Sequence, residues 1–236
     1  MSRAVRTLAV VRPELPEGIF AIPLRTRLVA PGDDLVGLIA RAVEGIARAG
    51  DVVAVSETVV AIAQGEFVGA EFVRPSKLAF AIARRADPMA TISQPESIQL
   101  VIDAVGWWRV LGAALAGTGA RLLGRRGAFY EMLGEAVAAV DGYTGTMPPY
   151  ERAIVLAPRE PDAFAESVRA ETRVDCAVVD ANDLGKAKVL GRSAGVCDEA
   201  VCAALLDNPH GNSDEQTPIV VLKWRGEGKN PLVTQA

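Results

Sequence analysis

A group of acidic and amide side chains directly after an apolar run is the stretch best suited to chemistry. Residues 174–185 read VDCAVVDANDLG, and the apolar run Val174 to Val179 predicts a short buried strand. Asp180, Asn182 and Asp183 follow it, at the strand end where open α/β sheets bind ligands. Their oxygen atoms suit Mg²⁺, Mn²⁺ or Ca²⁺. The stretch therefore predicts a metal site, while a ligand-free Asx-type turn explains it equally well.

Two other segments are candidates for binding phosphate or carboxylate groups. Val52 to Val55 predicts a buried strand that ends at Ser56 and Glu57. If the following VVAIAQG is helical, Ser56 is its N-cap and the free N–H groups of the first turn form an anion seat, although a cap without a ligand is as compatible. The connection after Asp183 is rich in glycine and in basic residues, of which three are candidate phosphate ligands: Lys186, Lys188 and Arg192.

Composition and missing motifs restrict the function. The net charge is −4 and aromatic residues are 5% of the 236, so we expect no nucleic-acid partner. Neither G-x-G-x-x-G nor G-x-x-x-x-G-K-[ST] occurs, so neither standard nucleotide cradle is present. His210 is the only histidine and lies in a polar turn, which rules out zinc sites built on several imidazoles.

Cysteine usage and hydropathy indicate a cytoplasmic protein without a membrane segment. The three cysteines, Cys176, Cys197 and Cys202, form no C-x-x-C pair, and an odd number argues against a disulfide framework. The N-terminal residues lack the apolar core of a signal peptide. The longest uncharged part of the apolar region 98–123 is residues 110–120, which is too short to cross a bilayer.

Strand and helix patterns alternate without an internal repeat, which predicts an α+β or mixed α/β fold. We expect its N- and C-terminal halves to pack together as a single domain over 1–236, with a soft seam at 142–150 and a loose polar tail at 225–236. Strands are predicted at 6–12, 18–23, 52–55, 153–156, 174–179 and 218–224, and a hairpin within 121–140 that turns near Gly134. Helices are predicted from Asp33 or Asp34 to a C′ glycine at Gly50, and at 71–86, 97–115, 161–171 and 198–206.

The order of several motifs resembles the γ-glutamyl ligase family of the deazaflavin coenzyme F420. These motifs are GDDL before the first helix, GDVVAVSETVVAIAQGEFV, AAVDGYT around Asp141, LAPREPDAFAESVR, VVDANDLG and SDEQTPIVVLKW. The resemblance implies a homodimeric enzyme that adds L-glutamate to the coenzyme precursor. It also implies GTP as co-substrate, Mg²⁺ or Mn²⁺, and an acyl phosphate intermediate.

The resemblance also assigns roles to individual residues. Asp141 and Asp180 match the metal-binding aspartates of the family, and Asn182 matches the asparagine of its "DTNG" motif. Asp214 and Glu215 lie in the loop that matches the Gly- and Glu-rich segment before the last strand. If Asp141 and Asp180 end adjacent strands and converge, they are positioned to bridge metal ions between protein and phosphates.

Two departures from the family pattern keep other functions open. The family's "SK…SKAEGR" stretch is SETVVAIAQGE here, which lacks both lysines and the arginine, and Asp183-Leu184-Gly185 replaces a Gly-Arg pair. The lost groups are natural partners of phosphate or of the glutamate carboxylates. Three hypotheses therefore remain: a ligase with this or another acceptor, a metal-dependent phosphohydrolase in which water replaces the amine, and a non-catalytic nucleotide- or metal-binding relative.

Overall fold

The computed structural model describes residues 18–86, 93–122, 124–125, 127–142, 148–183, 185–211 and 215–234. The strand predicted at 6–12 and the candidate site residue Asp214 lie outside these ranges.

A five-stranded mixed sheet built from both ends of the chain is the larger layer. Its order is β1-β8-β2-β6-β7, in which β2 and β6 are parallel and the other neighbours are antiparallel. The strands are β1 (Ile19–Leu24), β2 (Val52–Ser56), β6 (Asp175–Asn182), β7 (Lys186–Arg192) and β8 (Ile219–Trp224). The predicted packing of the N- and C-terminal halves is confirmed, because strands of both halves share this sheet.

Both faces of the large sheet are buried, which explains the unbroken apolar runs of its central strands. Val53 and Val55 of β2 face a core formed with α1 (Leu35–Val43), α2 (Glu57–Gln64) and α8 (Pro161–Thr172). Val52 and Ala54 face the opposite core, against α9 (Asp198–Ala204) and Leu232. Alternate side chains of one strand therefore hold two helical layers in place.

A three-stranded antiparallel sheet and a group of helices occupy the middle of the chain. The order is β3-β5-β4, from β3 (Phe67–Gly69), β4 (Val140–Asp141) and β5 (Ala153–Leu156). Within the described residues, a 3-10 helix (Ala70–Phe72) and five α-helices accompany it: α3 (Lys77–Ala83), α4 (Pro95–Val105), α5 (Trp107–Leu122), α6 (Ala128–Leu133) and α7 (Glu135–Ala138). The mixed α and β class with two sheets is confirmed. The single 1–236 domain and its seam stay predictions.

Several predicted elements have different bounds or types in the structure. The helix predicted at 97–115 is two helices, α4 and α5, which bend by 119° at Gly106, where φ is +89°. The hairpin predicted within 121–140 is wrong, because α6 and α7 are helical and only the turn at Gly134 is retained. The first helix ends at Val43 and not before Gly50, which instead precedes β2.

The tail predicted to be loose is held against the large sheet. Leu232 is fully buried, and its carbonyl accepts a hydrogen bond from the Cys197 amide at 2.9 Å. Asn230 Nδ2 donates to the Gly50 carbonyl at 2.6 Å, and Val233 forms a β-bridge with Val196. The buried Leu232, together with the hydrogen bonds and the bridge of its neighbours, therefore fixes a segment that the sequence predicts to be loose.

In the part of the chain that the structure describes, no single helix has both the length and the apolar composition to span a bilayer, although the bent pair α4 and α5 together has both.

Candidate functional site

One edge of the large sheet gathers most of the residues that the sequence singles out. β1, β2 and β6 all end there, and β8 begins there, since Leu24 and Val55 both pair with Ile219. Loops from distant parts of the chain are joined at this edge by backbone hydrogen bonds. The Ser56 amide donates to the Pro218 carbonyl, and the Thr26 amide donates to the Gln216 carbonyl, both at 2.9 Å. This edge is the candidate site.

The predicted strand over 174–179 continues three residues further than the sequence indicated. β6 runs to Asn182, turns at Asp183, and pairs with β7, so the basic connection predicted as a loop is a strand. Asp180 and Asn182 are therefore strand residues and not members of a loop. The sequence misses this because Asp, Asn, Gly and Lys all disfavour strands, while pairing within a hairpin outweighs that preference.

Four polar side chains lie on one face of the β6–β7 hairpin. Asp180 pairs with Lys188 and Asn182 pairs with Lys186. Directly paired residues of antiparallel strands point to the same side. The alternate hairpin residues Ala181, Ala187 and Val189 pack in the opposite core, so the four polar groups face the side that carries α2 and α8. We call these four residues the hairpin face: Asp180, Asn182, Lys186 and Lys188.

The electrostatics of the hairpin face centre on Asp180. Partial burial raises the pKa of the Asp180 carboxyl, and the nearby Lys188 ammonium lowers it in part. Lys186 and Lys188 are exposed, whereas Asp180 and Asn182 are half-buried. The half-buried carboxylate and amide oxygen are of the type that binds a hard cation, and the two exposed ammonium groups are of the type that attracts an anion.

The amino end of α2 lies next to this face. Ser56 pairs with Val179 in the neighbouring strand, one residue before Asp180. The helical alternative for VVAIAQG is confirmed, and Ser56 is the residue before the helix, but its hydroxyl makes no capping hydrogen bond. Glu57 is the first residue of the helix. The predicted anion seat at this helix end stays a prediction.

The turn of the hairpin is held by the loop before β8. Asn208 Nδ2 donates a hydrogen bond to Asp183 Oδ1 at 2.7 Å. Two residues further on, His210 is 9% exposed, and its Nδ1 lies 3.1 Å from the Thr217 carbonyl oxygen. A carbonyl only accepts, so Nδ1 carries the proton, and the buried Nε2 atom has no hydrogen-bond partner among the residues that the structure describes. Burial lowers the pKa of His210 to about 4.

Other predicted residues lie apart from the hairpin face. Arg192 pairs with Ala177 near the other end of the hairpin, and its Nε lies 2.7 Å from Asp198 Oδ1. Asp141 belongs to the three-stranded sheet, so the expectation that it and Asp180 end adjacent strands is wrong. Glu215 is exposed in the loop before β8. The metal and nucleotide roles of all these residues stay predictions.

Sequence reasoning missed two structural groups at this edge. Asn208 has a positive φ of 46° and lies in a turn, and nothing in its neighbourhood indicates a bond to a residue 25 positions earlier. Arg27 Nη1 lies 2.7 Å from Asp33 Oδ2 in the loop after β1, and this hydrogen bond is the main reason that the pKa of Asp33 is lowered to about 2. The GDDL motif, which contributes to the family resemblance, is the sequence feature that pointed to this loop.

The oxygen donors of the hairpin face fit a hard divalent cation only when phosphate supplies further ligands. Within the described residues, no three His, Cys, Asp or Glu side chains are close enough to hold a metal ion. Asp180 and Asn182 nevertheless give two oxygen-bearing side chains on one face. Mg²⁺ commonly binds through one or two carboxylates together with substrate phosphates. The donor set is therefore compatible with a metal ion that substrate phosphates also bind, and such a site stays a prediction.

Comparison with known proteins defines the class to which this fold and edge belong. The F420-0:Gamma-glutamyl ligase family profile matches residues 23–183. The Coenzyme F420:L-glutamate ligase of Methanopyrus kandleri is 31% identical over 170 residues, which are 70% of this chain and 59% of that protein. The chain thus spans about three fifths of the length of this curated relative.

The profile covers more than half of the 236 residues, so the chain belongs to the F420-0:γ-glutamyl ligase family. Asp141, Asp180 and Asn182 lie inside the matched range. Lys186 and Lys188 lie beyond it, and their place in the site therefore depends on the geometry of the hairpin.

Proposed function

We propose that this chain is a GTP-dependent ligase that joins the amine of L-glutamate to a carboxyl group of the coenzyme F420 precursor or of a related acceptor. Family membership supports the reaction class. The observation that carries the site is the hairpin face, which places a carboxylate, an amide and two ammonium groups beside a helix amino end. The absence of the family's basic residues from α2 supports a different acceptor.

The chemistry proceeds in two steps. An acceptor carboxylate oxygen attacks the γ-phosphorus of GTP, the bond to the β-phosphate oxygen breaks, and GDP leaves. The glutamate amine then attacks the acyl carbon, inorganic phosphate leaves, and the amine loses a proton. Lys186 and Lys188 bind phosphate oxygens and offset the negative charge of the transferring group, because phosphoryl transfer depends chiefly on positioning and charge neutralisation.

Asp180 and Asn182 would hold Mg²⁺ or Mn²⁺, and the metal would supply charge neutralisation between phosphate groups. Asp141 joins this proposed metal site through the family resemblance alone, whereas Asp183 and Arg192 keep the metal and phosphate roles that the sequence itself predicts for them. In this proposal, Ser56 and Glu57 at the amino end of α2 contact the L-glutamate substrate, through its carboxylate or its ammonium group. Glu215 belongs to the loop that borders the same edge, and Asp214 is assigned a substrate-binding role through the family resemblance alone.

The active species in this proposal is a cytoplasmic homodimer with small-molecule substrates. The three cysteines are free in the structure, which is compatible with a reducing compartment.

A nucleotide-cleavage assay separates the proposal from its alternatives. We expect GTP cleavage that requires Mg²⁺ or Mn²⁺, L-glutamate and an acceptor acid together. Cleavage without glutamate, and with no amide product, would instead make the chain a phosphohydrolase. Binding of GTP without any turnover across a panel of acceptor acids would make it a non-catalytic relative.

A further inference from the structure

The tip of the β6–β7 hairpin extends beyond the rest of the large sheet. In the described part of the chain, β2 pairs with β6 only as far as Val179, which lies opposite Ser56. From Asp180 onward β6 pairs with β7 alone, first through Lys188 and then towards Lys186. The hairpin face therefore lies on a two-stranded ribbon. Because such a ribbon has little stability of its own and twists more than a wide sheet, its position depends on the contacts that brace it.

A turn after α9 braces this ribbon at its tip. Asn208 Nδ2 donates a hydrogen bond to Asp183 Oδ1 at 2.7 Å, and Asn208 is only 5% exposed. Its backbone is held on both sides, because its amide donates to the Leu205 carbonyl at 2.9 Å and its carbonyl accepts from the Gly211 amide at 3.0 Å. Leu205 is fully buried against the large sheet. The brace is therefore anchored in the core.

The residue type at position 208 serves this bond. The φ of Asn208 is +46°, in the left-handed region that glycine adopts most readily and that asparagine and aspartate also tolerate. Glycine would adopt this conformation with less strain but would offer no amide to Asp183. Aspartate would place a second carboxylate beside the first. Asparagine meets both demands, which indicates that the position provides the side-chain bond as well as the turn.

The same loop connects the brace to the amino end of α2. Thr217 Oγ1 donates to the His210 carbonyl at 2.6 Å, and His210 Nδ1 lies 3.1 Å from the Thr217 carbonyl oxygen. The carbonyl of the next residue, Pro218, accepts a hydrogen bond from the Ser56 amide at 2.9 Å. Together with the backbone of the loop, these bonds join the hairpin tip to the residue before α2. The loop therefore sets the spacing between two parts of the candidate site.

We propose that Asn208 is a positioning residue of the candidate site, whose amide holds the hairpin face in the position from which it binds GTP, at a fixed distance from the amino end of α2. This inference rests on the proposed function, because it takes the hairpin face as the site of the GTP phosphates. Asn208 touches no substrate and acts through Asp183. Binding groups that are displaced by about 1 Å can lose up to about 100-fold in effect, so the loss of one brace is measurable.

Calorimetric titration of GTP tests this role, with metal absent so that the predicted metal role of Asp183 does not enter. We expect Asn208→Gly, which keeps the backbone conformation and removes the amide, to weaken GTP binding about tenfold, and Asn208→Asp to weaken it at least as much. Arg173→Gly is the matched control and should bind like wild type. Arg173 also has a positive φ, of 62°, but it follows α8 at the opposite end of β6.

A double variant separates positioning from folding. Asp183→Asn combined with Asn208→Asp exchanges the donor and the acceptor, so that the amide at position 183 donates to the carboxylate at position 208. It should recover GTP affinity to within about threefold of wild type, while Asn208→Asp alone stays weak. A merely structural role would lower the stability measured by urea unfolding and leave the GTP affinity of the folded protein unchanged.

The outcomes distinguish this inference from the proposed function. Single variants of Asn208 that bind GTP like wild type overturn the inference, and so does a double variant that binds no better than Asn208→Asp. A wild type that binds no GTP removes the proposed function and this inference together. GTP binding that depends on Asn208, without glutamylation of any acceptor, supports the inference and defeats only the ligase.

Discussion

Asp180 and Lys188 face each other across the β6–β7 hairpin, and their opposite charges give the candidate site its character. The lysine stabilises the ionised carboxylate that partial burial disfavours. In the proposed reaction these two residues have separable tasks, because the carboxylate holds the cation and the ammonium group holds phosphate.

Neutral substitutions of similar shape test this division of roles. We expect Asp180→Asn to abolish the metal dependence of GTP binding, and Lys188→Met to weaken GTP binding about tenfold or more with or without metal. Calorimetric titration of GTP with and without Mn²⁺ measures both effects. Lys229→Met, which changes an exposed lysine away from this edge, should bind like wild type. Normal metal-dependent binding by Asp180→Asn would remove this residue from the site.

His210 makes folding stability depend on pH. Burial lowers its pKa from 6.5 to about 4, so as the pH falls below 6.5 the unfolded chain takes up a proton that the folded chain does not. The free energy of unfolding should therefore decline between pH 6.5 and about 4, with a total loss of about 3 kcal/mol from this residue. Above pH 6.5 its contribution is fully present.

Urea unfolding of wild type and His210→Gln across this range isolates the effect. The glutamine variant should lose less stability on acidification, and the comparison cancels the opposing contribution of Asp180, whose raised pKa favours the folded state in acid. Parallel pH profiles for the two proteins would contradict the buried neutral imidazole.

Among the elements, β8 shows how the large sheet tolerates a charge near its core. Lys223 Nζ lies 2.7 Å from Asp51 Oδ2, and both side chains are more than 85% buried. The same carboxylate oxygen accepts a hydrogen bond from the Arg48 amide. The pair joins the start of β2 to the end of β8.

Lys223→Met should destabilise the protein by about 3 kcal/mol, because it leaves the Asp51 carboxylate buried without its counter-charge. Chemical denaturation measures the change, and Lys229→Met is again the exposed control. Adding Asp51→Asn to Lys223→Met should recover part of the loss. No loss in the single variant would show that Asp51 is solvated in solution.

The C-terminal segment is a structural element of the large sheet. Leu232→Ala should cost about 3 kcal/mol in the free energy of unfolding, since its side chain is fully buried between α9 and the sheet. Val233→Ala, at a half-buried neighbour, should cost less than about 1 kcal/mol. Equal, small effects measured by thermal or urea unfolding would restore the prediction of a loose tail.

Local sequence patterns predicted the buried strands and the helix after Pro161 well, because their apolar periodicity and caps are short-range signals. They failed where long-range pairing decides. β6 continues through Asp180 because β7 pairs with it, and Leu232 is ordered because a distant helix covers it. The residue types of the hairpin face are predictable, but their common orientation is not, since the sequence predicts that the strand ends at Val179, before Asp180.

At the scale of the whole molecule, the smaller sheet and its helices form an insertion in the chain between β2 and β6 of the larger sheet. Residues 67–156 build the insertion, and α2 connects the two sheets. Asp141 lies in the smaller sheet and Asp180 in the larger, so a metal site that uses both must form where the sheets meet.

The most direct test of the central claim follows an isotope from the acceptor. An acceptor acid labelled with oxygen-18 in its carboxyl group is incubated with GTP, L-glutamate and Mg²⁺, and mass spectrometry measures both products. The account predicts a glutamylated acceptor and one labelled oxygen in the released phosphate, both lost in Asp180→Asn. Phosphate that carries oxygen only from GTP and solvent water, without an amide product, would contradict the ligase mechanism.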